Sequence, residues 1–387
     1  MTQGVNVVGN LRAESGVGEA ARAVVAALDA AGVPVLPIEP PELSVSRQGV
    51  PFSSVDWHHA RFAITVLCLT PSETPGFAAA VGPRFFAGRH TVGLWWWEVT
   101  SFPAALHPAF AHVDEVWVGS RHIAAAIEPP AVAAGVPVTQ VRIPVRRADA
   151  SLLTRAELGL PNGFLFLTVF GYYSSVDRKN PHGAIEAFRR AFAPGEGPSL
   201  VIKCIDEAAH PAEHAALLDG AAGHPDIHVL PGYVDRGVMD ALVQRSDAVL
   251  SLHRAEGFGF TPAEAMALGK PVVVTAYSGT LDYVNDENAV LVPYELVPIG
   301  EGTPYPPDGW WADPDLDAAA AGMRRLVADP ALAARLGERA AADMAAGWSA
   351  QAAGSIMSAR LDQLPAGRSS WRGRRAAVRL LRHRVST

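Results

Sequence analysis

The chain has 387 residues, of which 49% are hydrophobic and 18% are charged, and its formal net charge is −7. At about 100–200 residues per domain this composition predicts two globular domains, and the excess of acid argues against a protein that coats nucleic acid. The two cysteines, Cys68 and Cys204, are far apart in sequence, which excludes a cysteine-based metal cluster and fits a reducing cytoplasm.

Short strands rich in Val and Ile alternate with Ala-rich helices through the first 145 residues. The chain starts directly on the strand VNVVGN without the features of a targeting segment, and no apolar run reaches the roughly 20 residues of a membrane span. A helix over 18–31 is followed by the strands VPVLPI, FAITVLCL, HTVGLWWW and EVWVGS. The alternation predicts a parallel sheet with helices on both faces, in a cytoplasmic protein that is at most membrane-associated.

The segment GVGEAA follows the first strand and places Gly16, Gly18 and Ala21 in the pattern G-x-G-x-x-A, with Glu39 roughly 20 residues further on. This pattern is similar to a dinucleotide fingerprint, although the strand ends near Gly9, too early for the tight turn that the fingerprint needs. Free N–H groups at a helix start also hold phosphates and sugars. Three interpretations stay open: a nicotinamide or flavin site, a wall of a ligand cleft, and a plain turn.

Three tryptophans end the strand in HTVGLWWWEV. Strand alternation predicts Trp95 and Trp97 on one face and Trp96 on the other. Aromatic faces stack on sugar rings or bases, and Glu98 can accept hydrogen bonds from hydroxyls. Trp97 and Glu98 are therefore candidates for the wall of a ligand cleft, together with the two glycines of GVGEAA. The alternative is that these aromatic residues belong to the core.

A second series of strands and helices begins after the segment 144–160. Its strands are FLFLTVFGYY, SLVIKCI, IHVLPGY, AVLSLH and PVVVTA. The simplest architecture is two doubly wound, Rossmann-like α/β domains facing a cleft, with ligands outside the carboxyl ends of the strands. The predicted regions are an N-terminal domain at 1–145, a C-terminal domain at 146–345, a helix returning to the first domain at 346–365, and an Arg-rich tail at 366–387.

Two cations follow the strand FLFLTVFG, in the segment YYSSVDRKNP. Arg178 and Lys179 stand at the carboxyl end of a strand, beside a helix that begins at Pro181 and that Asn180 is expected to cap. Arg through its fork and Lys as a point charge suit a diphosphate. The alternative is that both are exposed cations on a loop.

The segment AEGFGFTPAE contains two glutamates around a glycine-rich turn. Thr261 and Glu264 fit the N-cap and N3 positions of a capping box, which would explain Glu264 locally. Glu256 has no such explanation. Gly257 and Gly259 are expected to let a ligand approach the backbone closely, with N–H groups at the positive end of the helix.

The stretch 294–315 is rich in Pro and Gly and is expected to form a long loop, either functional or mobile. Its end, DPDLD, offers the Asp-x-Asp spacing that holds Mg²⁺, but Asp315 also suits the N-cap of the next helix, and we predict no metal site. The Arg-rich tail 366–387 either contacts anionic lipid through one helical face or is a solvated terminus.

These motifs resemble those of the retaining, nucleotide-sugar-dependent glycosyltransferases of family 4, the glycosyltransferase group 1 enzymes with the GT-B fold. EGFGFTPAE followed by AMALGKPVV is similar to their E-x7-E signature, and GYYSSVDRKNPHGAIEAFRRAF to their basic element. IHVLPGYVD resembles their base-binding turn, and TAYSGTLDYVNDENAVLVP their glycine-rich block. The resemblance covers most of 160–345 and is weak over 1–150. It implies that the domain at 146–345 binds the nucleotide sugar and that the domain at 1–145 carries the acceptor side. The candidates for the acceptor side or the cleft are Gly16, Gly18, Trp97 and Glu98.

The resemblance implies roles for individual residues. Glu256 would bond hydroxyls of the donor sugar, and Arg178 and Lys179 would neutralise the diphosphate, which makes these three the catalytic set. Glu264 would bond the ribose, and a turn after IHVLPG would lie near the base. The implied donor-binding residues are Glu264, Gly257, Phe258, Gly259, Phe260, Tyr233 and Val234.

The chain also departs from the family pattern. Tyr172 stands where the family usually has an Arg after glycine, so Arg178 is expected to take that role. Ser278 replaces the first residue of a glycine pair, and Asp282 stands for the acid of the same block. WWWEV occupies the place of a histidine on the acceptor side.

We therefore predict a retaining hexosyltransferase that moves a hexose from a UDP- or GDP-linked donor to a saccharide, glycolipid or other hydroxyl acceptor, in polysaccharide or glycolipid assembly. By resemblance the acceptor attacks the face that the diphosphate leaves, so no protein nucleophile, metal or further cofactor is expected. No nucleic-acid partner is expected, and membrane contact only through the tail. The alternatives are an NAD-dependent two-domain oxidoreductase, a non-catalytic sugar-nucleotide-binding protein, and an epimerase or phosphorylase on the same fold.

Overall fold

The computed structural model describes residues 4–41 and 46–365. The Arg-rich tail, for which lipid contact was one of two interpretations, lies outside the described residues. Within them, no helix is both long and apolar enough to cross a membrane. The chain divides into two compact units, one formed by Met1–Val145 with Gly347–Thr387 and the other by Arg146–Ala346.

The first unit is built on a seven-stranded sheet. Its elements in chain order are β1 (Val5–Gly9), α1 (Gly16–Ala30), β2 (Val35–Glu39), β3 (Val55–Asp56), β4 (Ile64–Cys68), α2 (Glu73–Val81), α3 (Pro83–Phe86), β5 (His90–Trp95), β6 (Glu115–Val118), α4 (Arg121–Ala134) and β7 (Val138–Gln140). The strand order is β3-β2-β1-β4-β5-β6-β7, and every pairing is parallel. The order reverses direction between β1 and β4, which is the switch point of a doubly wound sheet.

The central strands of this sheet are buried along their whole length, as a parallel sheet with helices on both faces requires. Asn6 is a polar exception inside β1. Its side chain donates to the carbonyls of Phe62 and Ile64 and accepts from the N–H of Arg61 and Phe62, so that it closes the connection into β4.

The second unit contains a six-stranded parallel sheet with the order β10-β9-β8-β11-β12-β13. Its elements in chain order are β8 (Leu165–Gly171), α5 (Val176–Lys179), α6 (Pro181–Ala191), β9 (Ser199–Ile205), α7 (Pro211–Ala221), β10 (Ile227–Leu230), α8 (Arg236–Arg245), β11 (Ala248–Ser251), α9 (Phe260–Ala267), β12 (Val272–Thr275), β13 (Val290–Val292), β14 (Tyr294–Pro298), β15 (Trp310–Pro314), α10 (Leu316–Ala328) and α11 (Pro330–Gly347). Aromatic residues of β8 and α6 fill its core, among them Phe166 and Phe188. Together with the first unit, this sheet confirms the prediction of two Rossmann-like parallel α/β domains.

The last described helix, α12 (Ala350–Leu361), packs against α1 in the first unit. Arg360 of α12 pairs with the buried Glu115 of β6 at 2.7 Å, and the same carboxylate accepts from Thr139 and Trp117. Burial alone would raise the pKa of Glu115, but the Arg360 guanidinium and these hydrogen bonds lower it. A buried carboxylate in the sheet is therefore neutralised by the C-terminal helix.

The expected long loop at 294–315 contains an antiparallel hairpin instead. β14 and β15 pair from Tyr294 with Pro314 to Pro298 with Trp310. The alternation of large apolar residues on these strands is short and interrupted by Pro and Gly, which concealed the pairing in the sequence.

Candidate active site

Three predicted residues meet at the carboxyl edge of the second sheet. β8 and β11 are neighbours in this sheet, so the segments that follow them lie side by side. Arg178 and Lys179 end the short helix α5 after β8, and Glu256 lies in the segment between β11 and α9. The carboxyl edge of such a sheet is the usual place for a ligand.

Glu256 forms ion pairs with both cations. Lys179 Nζ donates to Oε1 at 2.5 Å, and Arg178 Nη1 donates to Oε2 at 3.2 Å. The Glu256 residue is 8% exposed and Arg178 is 4% exposed. Burial alone would raise the pKa of Glu256, but Lys179 and Arg178 outweigh it and hold the pKa at about 2. The carboxylate is therefore ionised at neutral pH. The three side chains together carry a net charge of +1.

The backbone around α5 is fixed by polar side chains. The N–H of Gly183 donates to Asn180 Oδ1 at 3.1 Å, so Asn180 caps α6 as predicted. Its Nδ2 also donates to the carbonyl of Leu252 at 2.9 Å, which joins the start of α6 to the segment after β11. Arg178 Nε donates to the carbonyl of Ser174 at 3.1 Å and Nη1 to that of Ala255 at 2.8 Å. Arg178 is thus held by backbone carbonyls as well as by Glu256.

The glycine-rich turn 257–260 is held by the chain's own residues. Gly259 has a φ of +87°, and a Cβ built on it would lie 2.8 Å from the Tyr283 hydroxyl. That hydroxyl donates to the carbonyls of Phe258 and Gly259 at 3.1 and 2.7 Å. A Cβ on Gly279 would lie 2.0 Å from the carbonyl oxygen of Gly257. The internal packing therefore already requires glycine at positions 259 and 279, without a ligand.

The backbone of Glu256 is clamped by the segment after β12. Its N–H donates to Ser278 Oγ at 2.8 Å, and its carbonyl accepts from the N–H of Gly279 at 2.9 Å. The motif block containing Ser278 signalled this element, but its contact with Glu256 depends on the packing of two loops and was not predicted.

His253 lies buried beneath the same turn and was also missed in the sequence. Its Nε2 donates to the carbonyl of Tyr277 at 3.3 Å, and Nδ1 accepts from Ser251 Oγ at 3.1 Å. Burial lowers the pKa of His253 to about 4, so the imidazole is neutral at neutral pH. With one hydrogen bond at each ring nitrogen, the neutral His253 supports the segment that carries Glu256.

The predicted capping box of Glu264 is wrong. α9 begins at Phe260, with Gly259 in the left-handed conformation at the N-cap, and no side chain caps this helix. Thr261 is therefore the second helical residue, and Glu264 is too far along the helix to reach back. Instead, Glu264 Oε1 accepts from Arg236 at the start of α8. A helix start shifted by one or two residues changes the local explanation of Glu264 completely.

The predicted base-binding residues lie after β10. The Tyr233 hydroxyl donates to Asp206 Oδ1 at 2.6 Å, and Val234, which is half-buried, follows directly. The buried Lys203 at the end of β9 donates to the carbonyls of Gly232 and Cys204. Lys203 was not identified from the sequence because it lies inside an apolar strand, where nothing marks a lysine as the anchor of a neighbouring turn.

The two glycines of GVGEAA are in the first turn of α1 and not in a loop. Ser15 is the N-cap, and its Oγ accepts from the N–H of Gly18 at 3.2 Å. A Cβ on Gly18 would lie 2.5 Å from the carbonyl oxygen of Ala13, whereas one on Gly16 would meet nothing within 4 Å. The preceding loop of the chain therefore occupies the space beside Gly18.

The tryptophan segment also differs from the expectation. β5 ends at Trp95, which is fully buried, so the predicted strand alternation does not extend to Trp97. Trp97 is half-buried; its Nε1 donates to the carbonyl of Ser101 at 2.9 Å, and its ring meets the edge of Phe102. The carbonyl of Glu98 accepts from His122 Nε2 at 2.8 Å. Trp97 and Glu98 lie in the connection after the strand, at the carboxyl edge of the first sheet.

The Asp-x-Asp segment takes the capping arrangement. Asp315 Oδ1 accepts from the N–H of Asp317 and Ala318 at 3.0 and 2.9 Å, which makes it the N-cap of α10. Across residues 4–41 and 46–365, no group of three or more His, Cys, Asp or Glu side chains is arranged to hold a metal ion.

Comparison with known proteins gives a family match for the second unit. Residues 155–343 match the family model described as Glycosyl transferases group 1. This range contains the cluster of Arg178, Lys179 and Glu256 as well as the turn that follows it. Among curated protein sequences, none matches the chain significantly.

Solved structures resemble more than nine tenths of the chain. A sucrose-phosphate synthase from Thermosynechococcus elongatus is 16% identical with a TM-score of 0.67, over 93% of this chain and 98% of that one. Anabaena HepE, solved with UDP-glucose, is 15% identical with a TM-score of 0.67, over 94% and 100%. A glycosyltransferase from Rickettsia africae is 14% identical with a TM-score of 0.61, over 92% and 96%. These identities show the fold alone. Residues 155–343, just under half of the chain, therefore match the glycosyl transferases group 1 family, and together with the GT-B fold this match supports a glycosyltransferase.

Proposed function

We propose that the chain is a retaining hexosyltransferase that uses a UDP- or GDP-linked hexose and transfers it to a hydroxyl of a saccharide, a glycolipid or a related acceptor. The observation that carries this proposal is the pairing of the buried Arg178 and the half-buried Lys179 with the buried, ionised Glu256. Two cations beside a helix N-terminus suit a leaving diphosphate, whose charge grows as the bond to the sugar breaks. HepE, one of the similar structures, was solved with UDP-glucose, which supports a UDP-linked donor.

The state of Glu256 limits its role. A carboxylate with a pKa of about 2 does not donate a proton at neutral pH, so Glu256 is not the general acid. Its lone pairs are also engaged by Arg178 and Lys179, which weakens it as a nucleophile. We therefore assign it the binding of donor-sugar hydroxyls and the placement of the two cations. The acceptor proton then goes to the departing diphosphate, on the face where the acceptor attacks, and the anomeric configuration is retained.

The remaining assignments rest on the family resemblance. Glu264 would bond the ribose, in which case its contact with Arg236 must rearrange or be shared. Tyr233 and Val234 would lie near the base, and the acceptor would bind to the first unit. A metal-independent reaction in a cytoplasmic setting, as part of polysaccharide or glycolipid assembly, stays a prediction.

The oxidoreductase alternative has no support in the arrangement of the first unit. A dinucleotide would need the space beside Gly18, and the carbonyl of Ala13 occupies it. A sugar-nucleotide-binding protein without turnover, and an epimerase or phosphorylase, are kept as outcomes of the test.

The test is a donor screen with UDP-, GDP- and dTDP-hexoses. A true donor at 100 times its Kd should raise the free energy of unfolding by about 2.7 kcal/mol, which a thermal shift detects. The selected donor is then incubated with mono- and oligosaccharide acceptors. Release of the nucleoside diphosphate is measured, and NMR coupling constants give the anomeric configuration of the product.

We expect diphosphate release, slow without an acceptor and faster with one, and an anomer that matches the donor. An inverted product would contradict the mechanism. Binding without any release would indicate the non-catalytic alternative, and a free sugar or sugar phosphate as the main product would indicate an epimerase or a phosphorylase.

A further inference from the structure

The β14–β15 hairpin, residues 294–314, is an ordered element beside the cation cluster. Its strands pair Leu296 with Ala312 and Val297 with Trp311. The connection between them is closed by a hydrogen bond from Ile299 N–H to the carbonyl of Gly309 at 3.0 Å. The hairpin therefore has a fixed shape that can hold a side chain in one place.

The hairpin is bound to Arg254, two residues before Glu256. The N–H of Ala312 donates to the carbonyl of Arg254 at 2.8 Å. The Arg254 guanidinium pairs with Asp313 Oδ1 at 3.0 Å and lies over the ring of Trp311, with Cζ 5.6 Å from the ring centre. Main-chain, ionic and cation–π contacts thus join the hairpin to the segment that carries Glu256.

Arg254 also connects the hairpin to Arg178. The N–H of Arg254 donates to the carbonyl of Arg178 at 2.8 Å, so the two arginines are joined through their backbones. The ring of Tyr305, in the connection of the hairpin, lies over the Arg178 guanidinium with Cζ 5.9 Å from the ring centre. A cation–π contact is strongest when the cation is withdrawn from water, and Arg178 is almost completely buried.

We propose that Tyr305 is a positioning residue for the reaction, and this inference rests on the proposed function. Its ring covers the Arg178 guanidinium and holds it on the carbonyl of Ala255 and the carboxylate of Glu256. It also keeps water from the ion pair, which strengthens the field at the leaving diphosphate. No motif in the sequence marks Tyr305, because its place is set by a hairpin that the Pro- and Gly-rich composition conceals.

The expected effect is on turnover rather than on donor binding. Charge on the leaving diphosphate grows in the transition state, so a misplaced Arg178 weakens the transition state more than the bound donor. Tyr305→Leu should lower kcat about 10-fold, a value that corresponds to about 1.4 kcal/mol, and leave the donor KM within twofold. Tyr305→Phe keeps the ring and should keep kcat within twofold. The control is Leu296→Ala, on the same hairpin with a side chain that is 50% exposed, and it should leave both constants unchanged.

A double-mutant cycle separates positioning from general support of the fold. In an Arg178→Lys background the planar group beneath the ring is gone, so Tyr305→Leu should cost less than twofold there. The assay is nucleoside-diphosphate release by the full chain with its best UDP- or GDP-hexose. Thermal midpoints are measured for every variant.

Three results would overturn the inference while the proposed function stands: unchanged turnover in Tyr305→Leu, an equal loss in both backgrounds, or a Tyr305→Leu chain that no longer folds, since the ring would then support the fold. If the wild-type chain releases no diphosphate from any donor, the proposed function fails, and the inference fails with it.

Discussion

Each unit contains a glycine-rich segment at the start of a helix that follows a strand, and the two segments are held in different ways. In the first unit, Arg22 donates to the carbonyls of Leu11 and Ala13 and pairs with Glu19, so the cation closes its own loop. In the second unit, Arg178 and Lys179 share the single carboxylate of a buried glutamate ahead of the turn.

The comparison shows that glycine spacing alone does not locate a ligand. Gly18 and Gly259 are each explained by a close neighbour in the same chain. The two segments differ in how their charged side chains are arranged. Withdrawing the ionised Arg178 and Glu256 from water, and Lys179 in part, costs free energy. Such clusters are common at functional sites. The predictions below test this difference, from the largest expected effect to the smallest.

The two cations that pair with Glu256 should dominate turnover. Lys179→Ala or Arg178→Ala should lower kcat by about 10²–10³-fold with a smaller change in donor KM, because each removes charge that opposes the growing charge of the leaving group. Arg22→Ala in the first unit is the matched control, and its kcat should stay within a few fold. Steady-state diphosphate release checks both. Unchanged turnover in Lys179→Ala would contradict the assignment of these cations to the leaving diphosphate.

Acid should weaken the second unit through His253. Because burial lowers its pKa from 6.5 to about 4, the unfolded chain binds a proton in this window that the folded chain does not. The free energy of unfolding should therefore fall as pH drops from 6.5 to 4, by up to about 3 kcal/mol. His253→Gln should flatten that slope in urea titrations at a series of pH values.

Glu256 contributes in a separate and more acidic window. Its pKa is lowered from 4.5 to about 2, so its stabilisation is complete above pH 4.5 and is lost as pH falls toward 2. A slope between pH 6.5 and 4 that persists in His253→Gln would show that other groups cause it.

Adding one methyl group at Gly279 should disturb the glycine-rich turn 257–260. The Cβ of Gly279→Ala would lie 2.0 Å from the Gly257 carbonyl oxygen and 2.8 Å from that of Glu256. Backbone must then move, at a cost of about 1–3 kcal/mol in the free energy of unfolding and with lower kcat. Gly18→Ala, which meets Ala13 in the first unit, should destabilise similarly but leave kcat near the wild-type value. Equal loss of turnover in both variants would remove the distinction between the segments.

The smallest effect is expected at Gly16. It is the first residue of α1 and has open space around its Cα, so Gly16→Ala should raise the free energy of unfolding by about 0.5–1 kcal/mol at most. A clear destabilisation, measured by urea unfolding, would mean that this helix start needs glycine for another reason, such as a bound anion.

The sequence predicted the elements whose information is local. The alternation of strands and helices, the capping of α6 by Asn180 and the place of Arg178 at the carboxyl end of a strand follow from periodicity, capping chemistry and the geometry of parallel strands. The ion pair between Arg178 and Glu256 was not predicted. The start of α9 does not, because it is set by a left-handed residue at Gly259 that Tyr283 holds from a distant segment. The partner of Glu264 was therefore assigned wrongly.

The hairpin and the supports of the site were missed for a related reason. Lys203 and Tyr305 act on segments far away in the chain, and each lies in a sequence context without a distinctive pattern. Ser278 belongs to a recognised motif block, but its contact with Glu256 depends on how two loops pack. Long-range contacts of this kind become visible only when the sheet order places their segments together.

The pairing of Arg360 with Glu115 has a consequence for synthesis on the ribosome. The first unit needs a helix encoded near the end of the chain, so its sheet emerges early with a buried carboxylate that still has no cation. The second unit lies entirely between these pieces and is complete before α12 appears. A product ending near residue 346 would therefore retain a finished second unit beside an unfinished first one, which is the kind of species that chaperones and proteases recognise.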